Sequence, residues 1–167
     1  AARLSGPCLE GAHIAVNGQT TVQTSSEEGT GRVGFDLAAR LLPGDIVLLA
    51  GDLAAGKTAL VRGLVEGLDG PPEQVSSPTC VLLQTYDCSK NGIASLHHVD
   101  LYRLGESLPE LRELGIEENL SDPVAVTAVE WPKGTLATWI PADARVWRVV
   151  ITVEDDDSRT LVIDPPD

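Results

Sequence analysis

Apolar and polar positions switch period along the chain, and each switch marks a change of element. Residues 1–24 carry a weak signal: Asn17-Gly18, between His13–Val16 and Thr20–Gln23, has the composition of a short hairpin turn. Ser25-x-x-Glu28 forms a capping box for a helix predicted to run to about Leu42, with Val33, Leu37, Ala38 and Leu41 on one face. Gly29, Gly31 and Gly34 interrupt that helix, each weakening it by about 1 kcal/mol relative to Ala. Pro43-Gly44-Asp45 signals a stop and turn. Ile46–Ala50 is an unbroken apolar run, the pattern of a strand buried on both faces of a parallel sheet. After a loop, helical spacing returns from Lys57 to Leu68, where Leu60, Val61, Leu64, Val65 and Leu68 form the buried stripe. Asp69-Gly70-Pro71-Pro72 ends that helix.

Further on, Thr79–Tyr86 and Ala94–Leu101 read as strands joined by a polar turn containing Asn91-Gly92. The Ser107-x-x-Glu110 box caps a short helix around Pro109–Leu114. Val124–Val129 is a second buried strand, and Arg145–Val153 pairs with Arg159–Ile163 across the acidic turn Glu154–Asp157. With no internal repeat and no dividing linker, the expected architecture is α/β: one domain over residues 25–167, with a mixed central sheet flanked by helices, preceded by a segment 1–24 of uncertain form.

Composition narrows the function. Lysine and arginine number 12 against 25 for aspartate and glutamate, a formal charge of −13. Unaided nucleic-acid binding needs the opposite sign, because affinity comes largely from phosphate neutralisation. No apolar run approaches the ~18 residues of a membrane span. The three cysteines, Cys8, Cys80 and Cys88, lack zinc spacing and fit a reducing compartment. The chain begins at Ala1 and has no methionine, the pattern of a trimmed or matured chain. Cytoplasm is the default expectation, with a plastid or mitochondrial matrix the alternative if a targeting segment was removed.

One stretch carries explicit chemistry. Gly51, Asp52, Leu53, Ala54, Ala55, Gly56, Lys57 and Thr58 match G-x-x-x-x-G-K-[ST] in full, between a buried strand and an amphipathic helix. A polyphosphate needs several donors on a concave surface, and a tightly curled main chain offers its N–H groups for that purpose. The helix after the loop adds its N-terminal N–H groups and positive dipole end. Lys57 can reach β- and γ-phosphates, and the Thr58 hydroxyl is the usual magnesium ligand. A second acid is expected at the end of a neighbouring apolar strand, and two compete: Asp100, closing Leu96-His97-His98-Val99-Asp100, and Glu130, following Val124–Val129. Strand alternation puts His98, Asp100 and Tyr102 on one face and His97, Val99 and Leu101 on the other. His98 is therefore expected to hydrogen-bond Asp100 rather than ligate a metal; His13 has no visible partner.

These motifs occur in a characteristic order: GDLAAGKT at Gly51–Thr58, SSPT at Ser76–Thr79, HHVDLYRL at His97–Leu104, LGIEE at Leu114–Glu118 and VEWP at Val129–Pro132. Over about Ser25 to Lys133 the chain resembles the TsaE (YjeE) family of P-loop ATPases of tRNA threonylcarbamoyladenosine synthesis. The resemblance implies a P-loop NTPase fold, ATP and magnesium as cofactors, and slow ATP hydrolysis. It also implies action with TsaD-like and TsaB-like partners that modify the adenosine beside the anticodon, so tRNA is met only indirectly and no membrane is involved. Carried onto this sequence, it gives Lys57, Asp100 and Glu130 catalytic roles and makes Thr58, Asp100 and Glu130 metal ligands. The nucleotide would be bound by Gly51, Asp52, Leu53, Ala54, Ala55, Gly56, Lys57, Thr58, Ala59, Trp131 and Arg159. Thr79 resembles a mobile switch residue. Two positions depart from the family: Ala54 stands where glycine is usual, and Cys80 where an aromatic follows SPT.

Alternatives of other classes remain at the level of sequence: a small-molecule P-loop kinase, or a nucleotide-dependent binding switch. A kinase lid usually brings several arginines, whereas Leu104–Asp122 holds only Arg112.

Overall fold

The computed structural model describes residues 14–16, 18–76, 83–102, 108–132 and 134–167. The strands are β1 (Ile14–Val16), β2 (Gln19–Thr24), β3 (Ile46–Gly51), β4 (Leu83–Lys90), β5 (Ile93–Asp100), β6 (Ala125–Glu130), β7 (Val146–Val153) and β8 (Arg159–Asp164). The helices are α1 (Glu27–Ala38), α2 (Lys57–Gly67), α3 (Leu108–Glu113) and α4 (Ile116–Leu120), with single 3-10 turns at Pro72–Gln74 and Gly134–Thr138.

The strands form one mixed sheet ordered β1-β2-β8-β7-β3-β6-β5-β4. β5, β6, β3 and β7 run parallel at its centre, while β4 on one side and β8 and the β1–β2 hairpin on the other are antiparallel additions. Every residue of β6 is buried, which is why its sequence lacks alternation. Val47 and Leu49 of β3 enter one core with α1 and α2, whereas Ile46 enters a second core with Leu111 of α3, Ile116 and Leu120 of α4, and Trp139. The fold is therefore α/β in three layers, as the pattern of buried strands implied.

Several boundaries differ from the sequence expectation. α1 is capped by Ser26, whose hydroxyl accepts from the Gly29 N–H at 3.0 Å, and not by Ser25. It ends at Ala38 instead of about Leu42, because the Leu42 N–H turns away to the Asp45 carboxylate at 3.0 Å. β4 starts at Leu83, and the earlier part of the expected strand, including Thr79, lies outside the described residues. α3 opens at Leu108 and its expected cap, Ser107, is likewise outside them. α4 was not foreseen: at five residues it is too short for helical spacing to register.

The glycines of α1 have a positive use. A Cβ on Gly63 of α2 would lie 1.8 Å from the Gly31 carbonyl oxygen, and one on Gly34 would lie 2.2 Å from the Leu60 carbonyl oxygen. The two helices thus meet backbone to backbone. This draws the start of α1 over the loop before α2, where the Thr30 methyl would lie 3.3 Å from a Cβ on Gly56.

Backbone cannot move aside as a flexible side chain can. Gly63→Ala is therefore expected to cost about 3 kcal/mol or more in urea unfolding. Gly31→Ala, whose Cβ would sit 3.5 Å from the nearest atom, should instead add up to about 1 kcal/mol of helix propensity. Equal midpoints for the two variants would contradict this packing.

Candidate functional site

A cavity of about 400 Å³ opens at the carboxyl ends of the parallel strands, where ligands of open α/β sheets settle. The β3–α2 loop forms its floor. Gly51 has φ +152° and a Cβ there would strike the Ile151 carbonyl oxygen at 2.6 Å, so only glycine fits where β3 turns out of the sheet. Gly56, at φ +110°, is the left-handed residue from which α2 starts. Ala54 is also left-handed, at φ +61°, a conformation that costs an L-residue roughly 1–2 kcal/mol.

Leu53, Ala54, Ala55, Gly56, Lys57, Thr58 and Ala59 line the cavity together with Asp100, Glu130, Trp131 and Arg159. Gly51 and Asp52 do not; they border a smaller recess on the far side of the loop, beside Trp131 and Pro132. Their contribution is to Lys57, whose ammonium donates to the Gly51 carbonyl at 2.7 Å and the Asp52 carbonyl at 2.8 Å. The same ammonium lies 4.2 Å from the centre of the Trp131 indole, a cation–π contact. Burial lowers the Lys57 pKa, with Glu130, Asp100 and Asp52 pulling against it.

Trp131 is held over the loop by its backbone. Its N–H continues the ladder to the Leu49 carbonyl at 3.1 Å, and a φ of +57° then throws the ring across the cavity, 4.9 Å from the Tyr102 ring. Left-handed backbone is an outlier for a bulky residue, especially before proline.

The two acids arrive by register. Asp100 and Glu130 are direct partners in the parallel β5–β6 ladder, and both side chains are buried on the α2 face. Glu130 Oε1 accepts from the Thr58 hydroxyl at 3.2 Å and from His98 Nε2 at 2.8 Å. His98 therefore partners Glu130 and not Asp100, correcting the sequence expectation: the parallel pairing brings its ring tip to the neighbouring strand rather than along its own. Asp100 Oδ1 accepts the Tyr102 N–H at 2.9 Å. Burial raises the Asp100 pKa, the Tyr102 hydrogen bond lowers it, and the nearby Glu130 charge raises it again.

The donor set of Thr58, Glu130 and Asp100 is all hard oxygen. Among the described residues no group of three or more His, Cys, Asp and Glu is placed to hold a metal. Two carboxylates and a hydroxyl beside the β3–α2 loop suit magnesium, which takes few protein ligands and completes its shell with phosphates and water. The Thr58 proton goes to Glu130, so the hydroxyl lone pairs remain for a cation.

Tyr102, Glu27 and Thr30 also line the cavity. Tyr102 was foreseeable from its parity with Asp100; Glu27 and Thr30 were not, since they arrive through the α1–α2 contact. Arg159 reaches the rim from the start of β8 while donating to the Asp157 carbonyl. Arg112 pairs with Glu117 at 3.9 Å and lies over Trp139, not at the cavity. Cys88 is buried away from the site, its thiol pushed up to about 11. His13, Cys8, Thr79, Cys80 and Arg103 lie outside the described residues.

Two outcomes follow from the strain and the charge. Ala54→Gly should raise stability by up to about 1 kcal/mol, less than the strain it relieves because glycine also loosens the unfolded chain; chemical denaturation measures it. Asp100 binds its proton more tightly folded than unfolded, so its ionised form destabilises the fold above its folded pKa, and the penalty fades as pH falls towards the ordinary 3.8. Asp100→Asn keeps an acceptor for Tyr102 and should raise the melting temperature of nucleotide-free protein at neutral pH, with the difference shrinking in acid. A lower melting temperature at neutral pH would contradict it.

Comparison with known proteins places this geometry. The family described as "Threonylcarbamoyl adenosine biosynthesis protein TsaE" matches residues 24–161. The TsaE protein of Streptomyces coelicolor is 46% identical over 102 residues, covering 61% of this chain and 66% of that protein. That of Rickettsia conorii is 44% identical over 107 residues, covering 64% and 58%. The chain thus spans less than two thirds of the length of these two relatives. The Nostoc TsaE protein is 33% identical over 156 residues, covering 91% of this chain and 90% of its own. The crystal structure of Bacillus subtilus YdiB superposes with a TM-score of 0.66 at 27% identity, covering 89% of this chain and 86% of that one. The chain belongs to the TsaE family.

Proposed function

We propose that the chain binds and hydrolyses ATP with magnesium, and that this supports threonylcarbamoylation of the tRNA adenosine next to the anticodon. The observation that carries the reading is the Thr58–Glu130 hydrogen bond, which ties the phosphate loop to an acid at the end of β6. The relatives named as tRNA threonylcarbamoyladenosine biosynthesis proteins supply the context.

In this reading the loop amides and the start of α2 cradle the phosphates. Lys57 exchanges its two carbonyl partners for β- and γ-phosphate oxygens and offsets the charge that develops there. Magnesium, when bound at Thr58 with Glu130 and Asp100, neutralises phosphate charge. Asp100 has one oxygen not committed to Tyr102, and its raised pKa suits an acid that orients and accepts a proton from water. Lys57 and Arg159 are the cations lining the cavity among the described residues, so hydrolysis by the chain alone is slow and a partner accelerates it. A charge of −13 suits docking on TsaD-like and TsaB-like proteins and opposes a direct grip on tRNA.

ATP turnover measured with and without a TsaB–TsaD pair tests this. Phosphate release should rise when the pair is added, and Lys57→Ala should cut it about a hundredfold while leaving the melting curve cooperative. Phosphate appearing on a small-molecule acceptor, or turnover indifferent to Lys57, would replace the reading.

A further inference from the structure

His98 is fully buried, yet among the described residues only one of its ring nitrogens has a partner. Glu130 Oε1 can only accept from it as a carboxylate, so Nε2 carries the donated proton. Nδ1 is then buried with no hydrogen-bond partner among the described residues. A buried polar atom without a partner destabilises a fold, so this histidine is a poor choice for packing alone. What it gains is geometric. His98 and Thr58 converge on the same oxygen of Glu130, from β5 on one side and from the first turn of α2 on the other. With Oε1 held by two donors, rotation of the carboxylate is restrained, and Oε2 is the oxygen with no hydrogen bond among the described residues.

We propose that His98 is a positioning residue for the cation: by fixing Glu130 it fixes the direction of the Thr58 hydroxyl proton, and so leaves the hydroxyl lone pairs aimed at a magnesium–phosphate group. The proposal rests on the nucleotide reading above and adds a residue that touches neither nucleotide nor metal. Without the His98 donor, Glu130 is held only by the longer Thr58 hydrogen bond, the Thr58 proton follows its movement, and the oxygen cage loses order. Outer-shell partners of this kind change metal affinity by about 10–100-fold when removed.

Nitrogen NMR of the imidazoles in the nucleotide-free full chain gives the first test. His98 should carry its proton on Nε2 in slow exchange, and Glu130→Gln should shift that resonance; a proton on Nδ1 overturns the proposal. Calorimetry with ADP, in magnesium and in EDTA, gives the second. His98→Leu should keep the affinity measured in EDTA and lose about tenfold or more of the gain that magnesium brings, while His98→Gln, with an amide donor, should recover to within roughly threefold. In a Glu130→Gln background, His98→Leu should change nothing further. Equal losses with and without magnesium, additive losses in the double variant, or no loss at all would each overturn the positioning role. Absence of nucleotide binding by the unaltered chain in both buffers would instead remove the functional reading, and the NMR result would still decide the His98 geometry.

Discussion

The chemistry of the cavity depends on one register in the sheet. β6 lies between β3 and β5, so Glu130 has Leu49 of β3 on one side and Asp100 of β5 on the other. That alignment sets both carboxylates level with the loop leaving β3, and it lets Glu130 reach the first turn of α2. A slip of one residue would carry Glu130 to the α3–α4 face, because strand side chains alternate. A slip of two would move it by about 7 Å along the strand, beyond the reach of Thr58. The uninterrupted burial of β6 is what forbids either slip, since both faces must match their cores at once.

The second constraint is the contact between α1 and α2. Gly31 and Gly34 make α1 a weak helix in isolation, and Gly34 together with Gly63 of α2 makes it a close neighbour of α2 in the fold. Tertiary contact here overrides propensity. The consequence reaches the cavity: Glu27 and Thr30 become part of its wall only because the helices touch through backbone. At the opposite end of the sheet, buried Asp45 joins the Leu42 N–H, the Arg145 guanidinium and the Trp147 indole, locking the start of β3 to β7. It sets the strand that delivers the loop without taking part in the site.

This division explains what could be read from the chain beforehand. The loop Gly51–Thr58, the strand Ile46–Ala50 and the helix after it were legible because local pattern and local chemistry coincide there. The arrival of Asp100 and Glu130 at one point came from the family resemblance and not from local pattern, because choosing between them needs strand order, and strand order is set by packing far apart in sequence. His98 was assigned the wrong partner for the same reason: parity along one strand says which face a ring takes and nothing about the strand next door. Asp45 read as a turn residue, with no sign that two side chains about a hundred positions later would close on it. Trp131 was read as an aromatic near the nucleotide, but its left-handed backbone, which sends the ring over Lys57, has no signature in sequence.

The balance of charge at the cavity carries the argument one step further. Glu27, Asp100 and Glu130 bring three carboxylates to the described wall, against the two cations Lys57 and Arg159. A triphosphate placed there meets a wall whose net sign matches its own, in a chain already carrying −13. Loop amides and the α2 dipole supply only partial charges, equivalent to roughly half a unit at a helix end. A divalent cation bound as proposed would reverse the sign of the local field and would turn two of the three carboxylates from repulsive groups into ligands. Under the proposed function the metal would then be a condition of tight nucleotide binding, and whatever orders the oxygens around Thr58 would govern affinity as much as rate.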